Sequence, residues 1–317
     1  MRERDVLCLV QERFGSSPPG VAVGPGDDAA VLVDGTVITT DTVADGVHVD
    51  RRWSSLEDVG WKAVHAAVSD IPAMGARPTA AVVSAQLTGG MAGEDVAALL
   101  DGVAEGAAAA GVPIVGGDVT SSNTMALTVT VLGRLLGDQP CARSGAAVGD
   151  LVGVIGHVGR AAAGLALHQA AAGQADRVRE AHPQLSEAHR RPHALVGAAG
   201  ILADPGVTAG IDVSDGLGRD LGHVAAASGV QVLLEALPPD PLVDAAAAAL
   251  DVTARDLVLG GGDDHALAIT IDPAAVERIK GAVAALDLPF AIVGTVRGGS
   301  GVLHDGEDVA GLGWEHR

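Results

Sequence analysis

Residues 55–87 read SLEDVGWKAVHAAVSDIPAMGARPTAAVVSAQL. The apolar spacing predicts a helix over Ser55–Met74, with Ser54 or Ser55 as its N-cap and Gly75 near its end. Thr79–Leu87, rich in Val and Ala and bounded by Pro78, is predicted as a strand. A helix that passes within a few residues into a strand points to a mixed α/β chain. One residue disturbs the pattern. Asp70 sits late in an otherwise apolar run, after Val64, Ala66, Ala67 and Val68 and before Ile71. A carboxylate on such a face needs a partner, because an unpaired buried charge is costly. A helix cap, a salt bridge or a bound cation would each serve.

The same alternation extends in both directions. Upstream, a short helix is predicted over Arg2–Phe14, a loop over Gly15–Gly26, and strands over Ala29–Val33 and Thr36–Thr40. Downstream come a helix over Glu94–Ala110, a short buried strand over Val112–Val115 and a longer strand over Met125–Leu136. The turn-rich Arg143–Gly149 segment opens a second unit. In that unit strands are predicted at Leu151–Ile155, Gly210–Val213, Val230–Leu234, His265–Ile271 and Phe290–Val296. Helices are predicted at Ala161–Ala171, Arg191–Ala199, Leu217–Ala227 and Pro273–Ala285. The class is α/β or α+β, divided near residue 145 into an N-terminal domain (1–145) and a C-terminal domain (146–317).

Composition narrows the function. The 317 residues carry 40 acidic and 20 basic side chains, a net charge of −20. That balance lacks the basic footprint of a nucleic-acid binder. Aromatic residues are only 2%, so the cores must be built from Ala, Val, Leu and Ile. The two cysteines, Cys8 and Cys141, offer neither zinc spacing nor a disulfide framework. No apolar run reaches the ~20 residues needed to span a bilayer, and the first twelve residues are charged. The expectation is a cytoplasmic protein with reduced thiols.

Aspartate recurs beside glycine or a small residue at strand ends and turns. The clusters are Gly26-Asp27-Asp28, Thr39-Thr40-Asp41, Ser69-Asp70, Gly116-Gly117-Asp118, Asp212-Val213-Ser214-Asp215-Gly216 and Gly260-Gly261-Gly262-Asp263-Asp264. Any one of them reads equally as an ordinary turn. Together they supply hard oxygen ligands of the kind Mg²⁺ takes alongside phosphates. Only two lysines exist, Lys62 and Lys280, and neither lies in a Walker-type loop. The protein-kinase lysine and His-Arg-Asp set is missing too. A nucleotide triphosphate bound here would have to be neutralised through metal ions held by aspartates.

Read in order, these clusters resemble the thiamine-monophosphate kinase family, whose superfamily includes aminoimidazole ribonucleotide synthetase and selenophosphate synthetase. The resemblance covers nearly the whole chain. It rests most on Asp41-Thr42 with Asp45-Gly46-Val47-His48, and on Ser69-Asp70-Ile71-Pro72-Ala73-Met74-Gly75-Ala76-Arg77-Pro78. Gly60-Trp61-Lys62-Ala63, Arg143-Ser144-Gly145, Asp212 to Leu217 and Gly261 to Asp264 support it. It implies a two-domain aminoimidazole ribonucleotide synthetase-like fold, a homodimer joined through the N-terminal sheet, and ATP in a cleft between the domains. It also implies γ-phosphoryl transfer from ATP to thiamine monophosphate, with several Mg²⁺ ions.

Carried over by position, Asp28, Thr39, Thr40, Asp41, Asp70, Asp118, Asp212 and Asp215 match metal-binding positions. Asp41, Asp70 and Asp212 carry the catalytic role. Gly117, Asp118, Arg143 and Ser214 match nucleotide contacts, and His48, Asp263 and Trp314 match positions near the acceptor. Trp314 reads equally as a C-terminal core anchor, and His48 as a solvated strand histidine. Trp53 and Trp61 read as packing residues. The chain departs from the family at Asp263, where glutamate is usual, and at His265, where an aromatic is usual. It departs again at Val119-Thr120-Ser121-Ser122, where the family often carries an arginine. Two rivals stand beside this reading: a sister ATP-dependent synthetase, and a non-catalytic nucleotide-binding relative.

Overall fold

The computed structural model describes residues 3–15, 18–170 and 173–315. Its N-terminal half runs α1 (Glu3–Phe14), β1 (Val21–Val23), β2 (Ala30–Leu32), β3 (Thr36–Ala44), α2 (Leu56–Ala73), β4 (Ala76–Thr88), α3 (Gly93–Ala110), β5 (Ile114–Ser122) and β6 (Ala126–Leu135). The six strands form one sheet in the order β1-β2-β3-β6-β4-β5. Only β4 and β5 run parallel, with α3 as their crossover. The C-terminal half opens with β7 (Leu151–Ile155), α4 (Arg160–Gln169), α5 (Gln174–Ala181), α6 (Pro183–Arg190) and α7 (Ala199–Leu202). It continues through β8 (Val207–Val213), α8 (Leu217–Ser228), β9 (Gln231–Leu234), α9 (Pro241–Leu250), α10 (Ala254–Gly260) and β10 (Ala266–Ile271). It closes with α11 (Val276–Ala284), β11 (Phe290–Arg297), β12 (Gly301–His304) and β13 (Glu307–Asp308). Its seven-stranded sheet is ordered β13-β12-β9-β11-β7-β10-β8.

Helix α2 organises the first half. Ser55 and Asp58 form a reciprocal capping box at its start. Val64, Ala67, Val68 and Ile71 are buried in the N-terminal core with Val37, Leu127 and Val129 of the sheet. Helix α3 packs on it almost backbone to backbone. A methyl group on Gly102 would stand 2.0 Å from the Glu57 carbonyl oxygen, and one on Gly60 would stand 2.3 Å from that of Leu99. This close approach is what the small residues permit. The far end of α2 leaves the first core. Ala73 belongs instead to a cluster with Cys141, Ile155, Ile201, Leu202 and Ile269, which ties α2 to the second sheet. A third cluster fills the C-terminal half around β9, α8 and α9.

Four expectations change. β5 is neither short nor buried: it runs from Ile114 to Ser122 and is exposed along nearly its whole length. Its partner β4 continues to Thr88, so pairing carries β5 past the Gly-Gly pair, and no further strand lies outside it. The loop predicted over Gly15–Gly26 contains β1, which pairs with β2. Residues 191–199 are largely irregular, while α5 and α6 occupy the segment before them. Helices α9 and α10 were not expected: the alanine run of α9 carries little amphipathic signal, and α10 has only seven residues. Cys8 is exposed and Cys141 buried, and they are not joined.

A candidate active-site cleft

The register of β3 sorts its residues. Thr39 and Asp41 face the helix side of the sheet, while Thr40 faces away and meets Thr130 hydroxyl to hydroxyl at 3.0 Å. The Thr39 hydroxyl donates to Asp70, which α2 delivers from its last turns. One residue earlier, the Ser69 hydroxyl lies 2.6 Å from Asp212 Oδ2 at the end of β8. Asp28, in the turn before β2, accepts from Arg143 Nε at 2.8 Å. Arg143 is thus engaged by a carboxylate, and its backbone N–H donates to Asp27. Segments more than a hundred residues apart therefore meet in one carboxylate group.

Charge is unbalanced there. Burial raises the Asp28 carboxyl to about 7, with Asp212 and Asp27 adding to the shift against Arg143. Burial pushes Asp70 well above the usual range, and Asp212, Asp28 and Asp41 add repulsion. Asp41 is raised by the desolvating walls around it, although it opens onto the cleft. Burial disfavours charge on His265, yet its Nδ1–H faces Asp212 Oδ2 at 3.4 Å and the surrounding carboxylates hold its pKa above the ordinary value. Asp28 Oδ2 is buried with no hydrogen-bond partner. An orphaned carboxylate oxygen beside several others suits a hard cation. Among the described residues, no three Asp, Glu, His or Cys side chains form a ready-made cage for an ion. Such a donor set fits Mg²⁺, which takes one or two carboxylates and completes its shell with water and phosphate.

A cavity of about 660 Å³ opens beside this group. Its walls carry Asp41, His48, Ser214, Asp215, Asp263 and Trp314. Ser214 and Asp215 are held by Asp220, whose Oδ2 accepts the backbone N–H groups of Ser214, Asp215 and Gly216 at 3.1, 3.1 and 3.0 Å. The glycine loop after α10 packs on the same turn. The Asp263 N–H donates to the Ser214 carbonyl, and a methyl group on Gly262 would stand 2.3 Å from that oxygen. Gly262 therefore serves chain packing here. Asp263 and His265 have φ of 67° and 48°, a left-handed backbone uncommon for residues with a side chain. Asp264 turns inward and accepts from the Ala161 N–H at 2.9 Å, at the start of α4.

On this side charges are matched. Lys62 Nζ lies 2.8 Å from Asp263 Oδ2. Burial works against the Asp263 carboxylate, but Lys62 and His265 hold its pKa below the ordinary value. His48 Nδ1 accepts the Ala44 N–H at 3.1 Å, so it is not a freely solvated histidine. Trp314 is 51% exposed on the rim, which removes the core-anchor reading, and its backbone N–H donates to the Asp215 carbonyl. Trp53, read as packing, also lines the cavity and stacks on His168 with ring centroids 5.4 Å apart. Trp61 does pack: its Nε1–H donates to the Pro192 carbonyl at 2.8 Å.

Gly117 and Asp118 lie elsewhere. Asp118 is in register with Ser84, Ser84 with Thr128, and Thr128 with Thr42. Three strand spacings put Asp118 about 14 Å from β3, on the face shared with Thr40 and away from Asp41. A single chain does not bring these two residues to the carboxylate group. The reading of the sequence also passed over Lys62, Asp220 and Asp264 as parts of the site. The only available signal was the scarcity of lysine in a strongly acidic chain.

The N-terminal domain model described as "AIR synthase related protein" matches residues 26–135, the stretch that carries Asp28, Asp41 and Asp70, and places that part of the chain in the aminoimidazole ribonucleotide synthetase-related class. Within that class the relatives are specific. The thiamine-monophosphate kinase of Mycobacterium tuberculosis is 40% identical over 94% of this chain and 86% of its own. A solved thiamine-monophosphate kinase from Stenotrophomonas maltophilia is 31% identical, with a TM-score of 0.77 and 96% of each chain covered. A solved structure described as AaThiL complexed with AMPPCP and TMP superposes with a TM-score of 0.85 at 27% identity, over 100% of this chain and 97% of that one. The chain belongs to the thiamine-monophosphate kinase family.

Proposed function

We propose that the chain transfers the γ-phosphoryl group of ATP directly onto the phosphate of thiamine monophosphate, giving thiamine diphosphate and ADP. The observation that carries this reading is a set of buried carboxylates, short of cations, beside a cavity of about 660 Å³ with a separate, charge-matched wall. Kinship with enzymes named for this reaction supports it.

Donor and acceptor are both anionic, so repulsion between them must be suppressed before in-line attack. Mg²⁺, when bound, would supply the positive charge that offsets that repulsion. Asp28, Thr39, Asp41, Asp70 and Asp212 are the residues that would hold it, joined by Asp215, while the Thr40 side chain faces the other side of the sheet and Asp118 would join only from a second copy of the chain. Ser214, Gly117, Asp118 and Arg143 serve the nucleotide, and Arg143 also orients Asp28. His48, Asp263 and Trp314 serve the acceptor. The nucleophile is a phosphate oxygen, largely ionised near neutral pH because the second pKa of a phosphomonoester is about 6. No strong general base is then required of the protein.

The separation of Asp118 from Asp41 supports a homodimer joined through the uncovered face and exposed β5 edge of the N-terminal sheet. Val115 and Val119 are exposed on that strand, and an apolar edge of this length favours a pairing partner. The division near residue 145 falls in the connection between the two sheets, and makes the first unit the dimerising one. No described helix is long and apolar enough to cross a membrane. That fits a cytoplasmic enzyme, and the charge of −20 fits one that does not bind nucleic acid.

The test is purified protein with Mg-ATP and thiamine monophosphate, assayed for thiamine diphosphate. Stoichiometric appearance of thiamine diphosphate and ADP is expected. ATP binding without either product would reject the assignment.

A further inference from the structure

Lys62 is the feature that the reaction as described leaves unexplained. It sits in the middle of α2 and is 1% exposed, among the largest fully buried side chains of the protein. Nothing about packing alone calls for an ammonium there. Leucine or methionine would fill the space without the desolvation that a buried cation incurs. What distinguishes lysine is three N–H donors, and all three have acceptors. The partners are Asp263 Oδ2 at 2.8 Å, the His48 carbonyl at 3.1 Å and the His189 carbonyl at 3.2 Å.

Those acceptors come from three separate parts of the chain. His48 follows β3, His189 lies in α6, and Asp263 lies in the loop after α10. All three residues line the cavity. Each segment has a reason to move without Lys62. The Asp263 loop holds two non-glycine residues at positive φ, and such a conformation persists only where its surroundings impose it. A His48 carbonyl and a His189 carbonyl converging on one point need a donor between them, since buried acceptors left unpaired are costly. With its donors saturated, Lys62 has none left for a ligand.

We infer that Lys62 is a positioning residue of the acceptor site, which sets the mutual placement of His48, His189 and Asp263 and thereby governs recognition of the phosphate acceptor but not of ATP. The inference rests on the reading of the cleft given under the proposed function. The Asp263 carboxylate is one-third exposed, at 32%, and Lys62 takes one of its oxygens. Lys62 therefore decides how far this short acid reaches into the cleft. Among the described residues, no hydrogen bond or ion pair joins Lys62 to Asp28, Asp70 or Asp212, so its direct contacts lie on the acceptor side.

The experiment compares Lys62→Met, Asp263→Asn and the double variant Lys62→Met/Asp263→Leu with the unsubstituted protein, measuring steady-state constants for each substrate and thermal stability. Lys62→Met is expected to raise KM for thiamine monophosphate by about tenfold or more while KM for ATP stays within about twofold. The double variant removes both charges, so its stability is expected to recover towards that of the unsubstituted protein. Its acceptor KM is expected to exceed that of Asp263→Asn, because the single variant keeps the Lys62 donors on the His48 and His189 carbonyls. Recovery of acceptor KM together with stability would reduce Lys62 to a structural role and overturn the inference. So would equal changes in both KM values, or an acceptor KM unchanged in Lys62→Met. If Lys62→Met does not fold, Asp263→Asn and the double variant carry the same comparison. Failure of the unsubstituted protein to make thiamine diphosphate would overturn the functional reading and this inference with it, an outcome distinct from product formation with an unmoved acceptor KM.

Discussion

The two walls of the cleft treat charge in opposite ways. On the side of Asp28, Asp70 and Asp212, carboxylates crowd together, and among the described residues their ion-pair partners are Arg143, on Asp28, and the His265 ring, which faces Asp212. On the side of Asp263, one carboxylate meets one buried ammonium at 2.8 Å, and the lysine's other donors meet carbonyls. The first wall lacks matching charges among the described residues, and the second is balanced within the chain. Under the proposed function, this is the difference expected between a wall for a metal-nucleotide and a wall for the acceptor. It also predicts opposite responses to the same substitution.

The largest effect is expected from Asp70→Asn and Asp41→Asn. Each removes a carboxylate from the unbalanced wall, and turnover should fall by about 10³-fold or more, while the metal-free protein melts no lower than the unsubstituted one. Near-normal turnover at saturating Mg²⁺ in either variant would break the assignment of that wall. Asp263→Asn should do the reverse to stability. It leaves Lys62 buried without its counter-charge, at a cost of about 3 kcal/mol, read as a lower midpoint in chemical denaturation. If Asp70→Asn and Asp263→Asn destabilise alike, the contrast between the walls fails.

A pH experiment sharpens the comparison with a group outside both walls. Burial drops the pKa of His65 from 6.5 to about 3, with His193 and His265 adding to the shift, so the fold favours its neutral form. Its contribution is complete above pH 6.5 and is lost as pH falls towards 3. Between pH 7 and pH 5 this loss is roughly 2 kcal/mol. His65→Phe should flatten that part of the stability profile and leave the acceptor KM alone. An unchanged slope in urea titrations at the two pH values would remove His65 as the cause. The smallest effect expected is that of Trp314→Ala. Truncating this exposed rim residue should raise acceptor KM by about tenfold, or ~1.4 kcal/mol, without shifting the melting temperature. A drop in melting temperature would return Trp314 to the core.

Much of the nucleotide wall was legible in the sequence because its chemistry is local. Asp70 in an apolar helix, Asp212 at a strand end and Asp28 in a glycine turn are each anomalous among their own neighbours. The acceptor wall was less legible. Lys62 looks like one polar residue of a helix until the fold places Asp263, His48 and His189 around it. Trp53 looked like packing because aromatic side chains default to cores, yet its loop lies along the cavity. Gly262 looked like part of a glycine–aspartate ligand cluster, whereas in the fold it allows the chain to pass close to the Ser214 carbonyl. Asp118 was grouped with the other aspartates by motif order alone, and strand order separates it from them.

By itself, the sequence determined the class of fold and the family. Periodicity, motif order and the ratio of aspartate to lysine are properties of the chain that survive without coordinates. The tertiary structure decided which carboxylates share a site and which stand on the opposite face of a sheet. It also placed the scarce lysine between Asp263, His48 and His189. The reason is that a charge acts over a few ångströms of space, and which residues share that space is settled by strand order and helix packing.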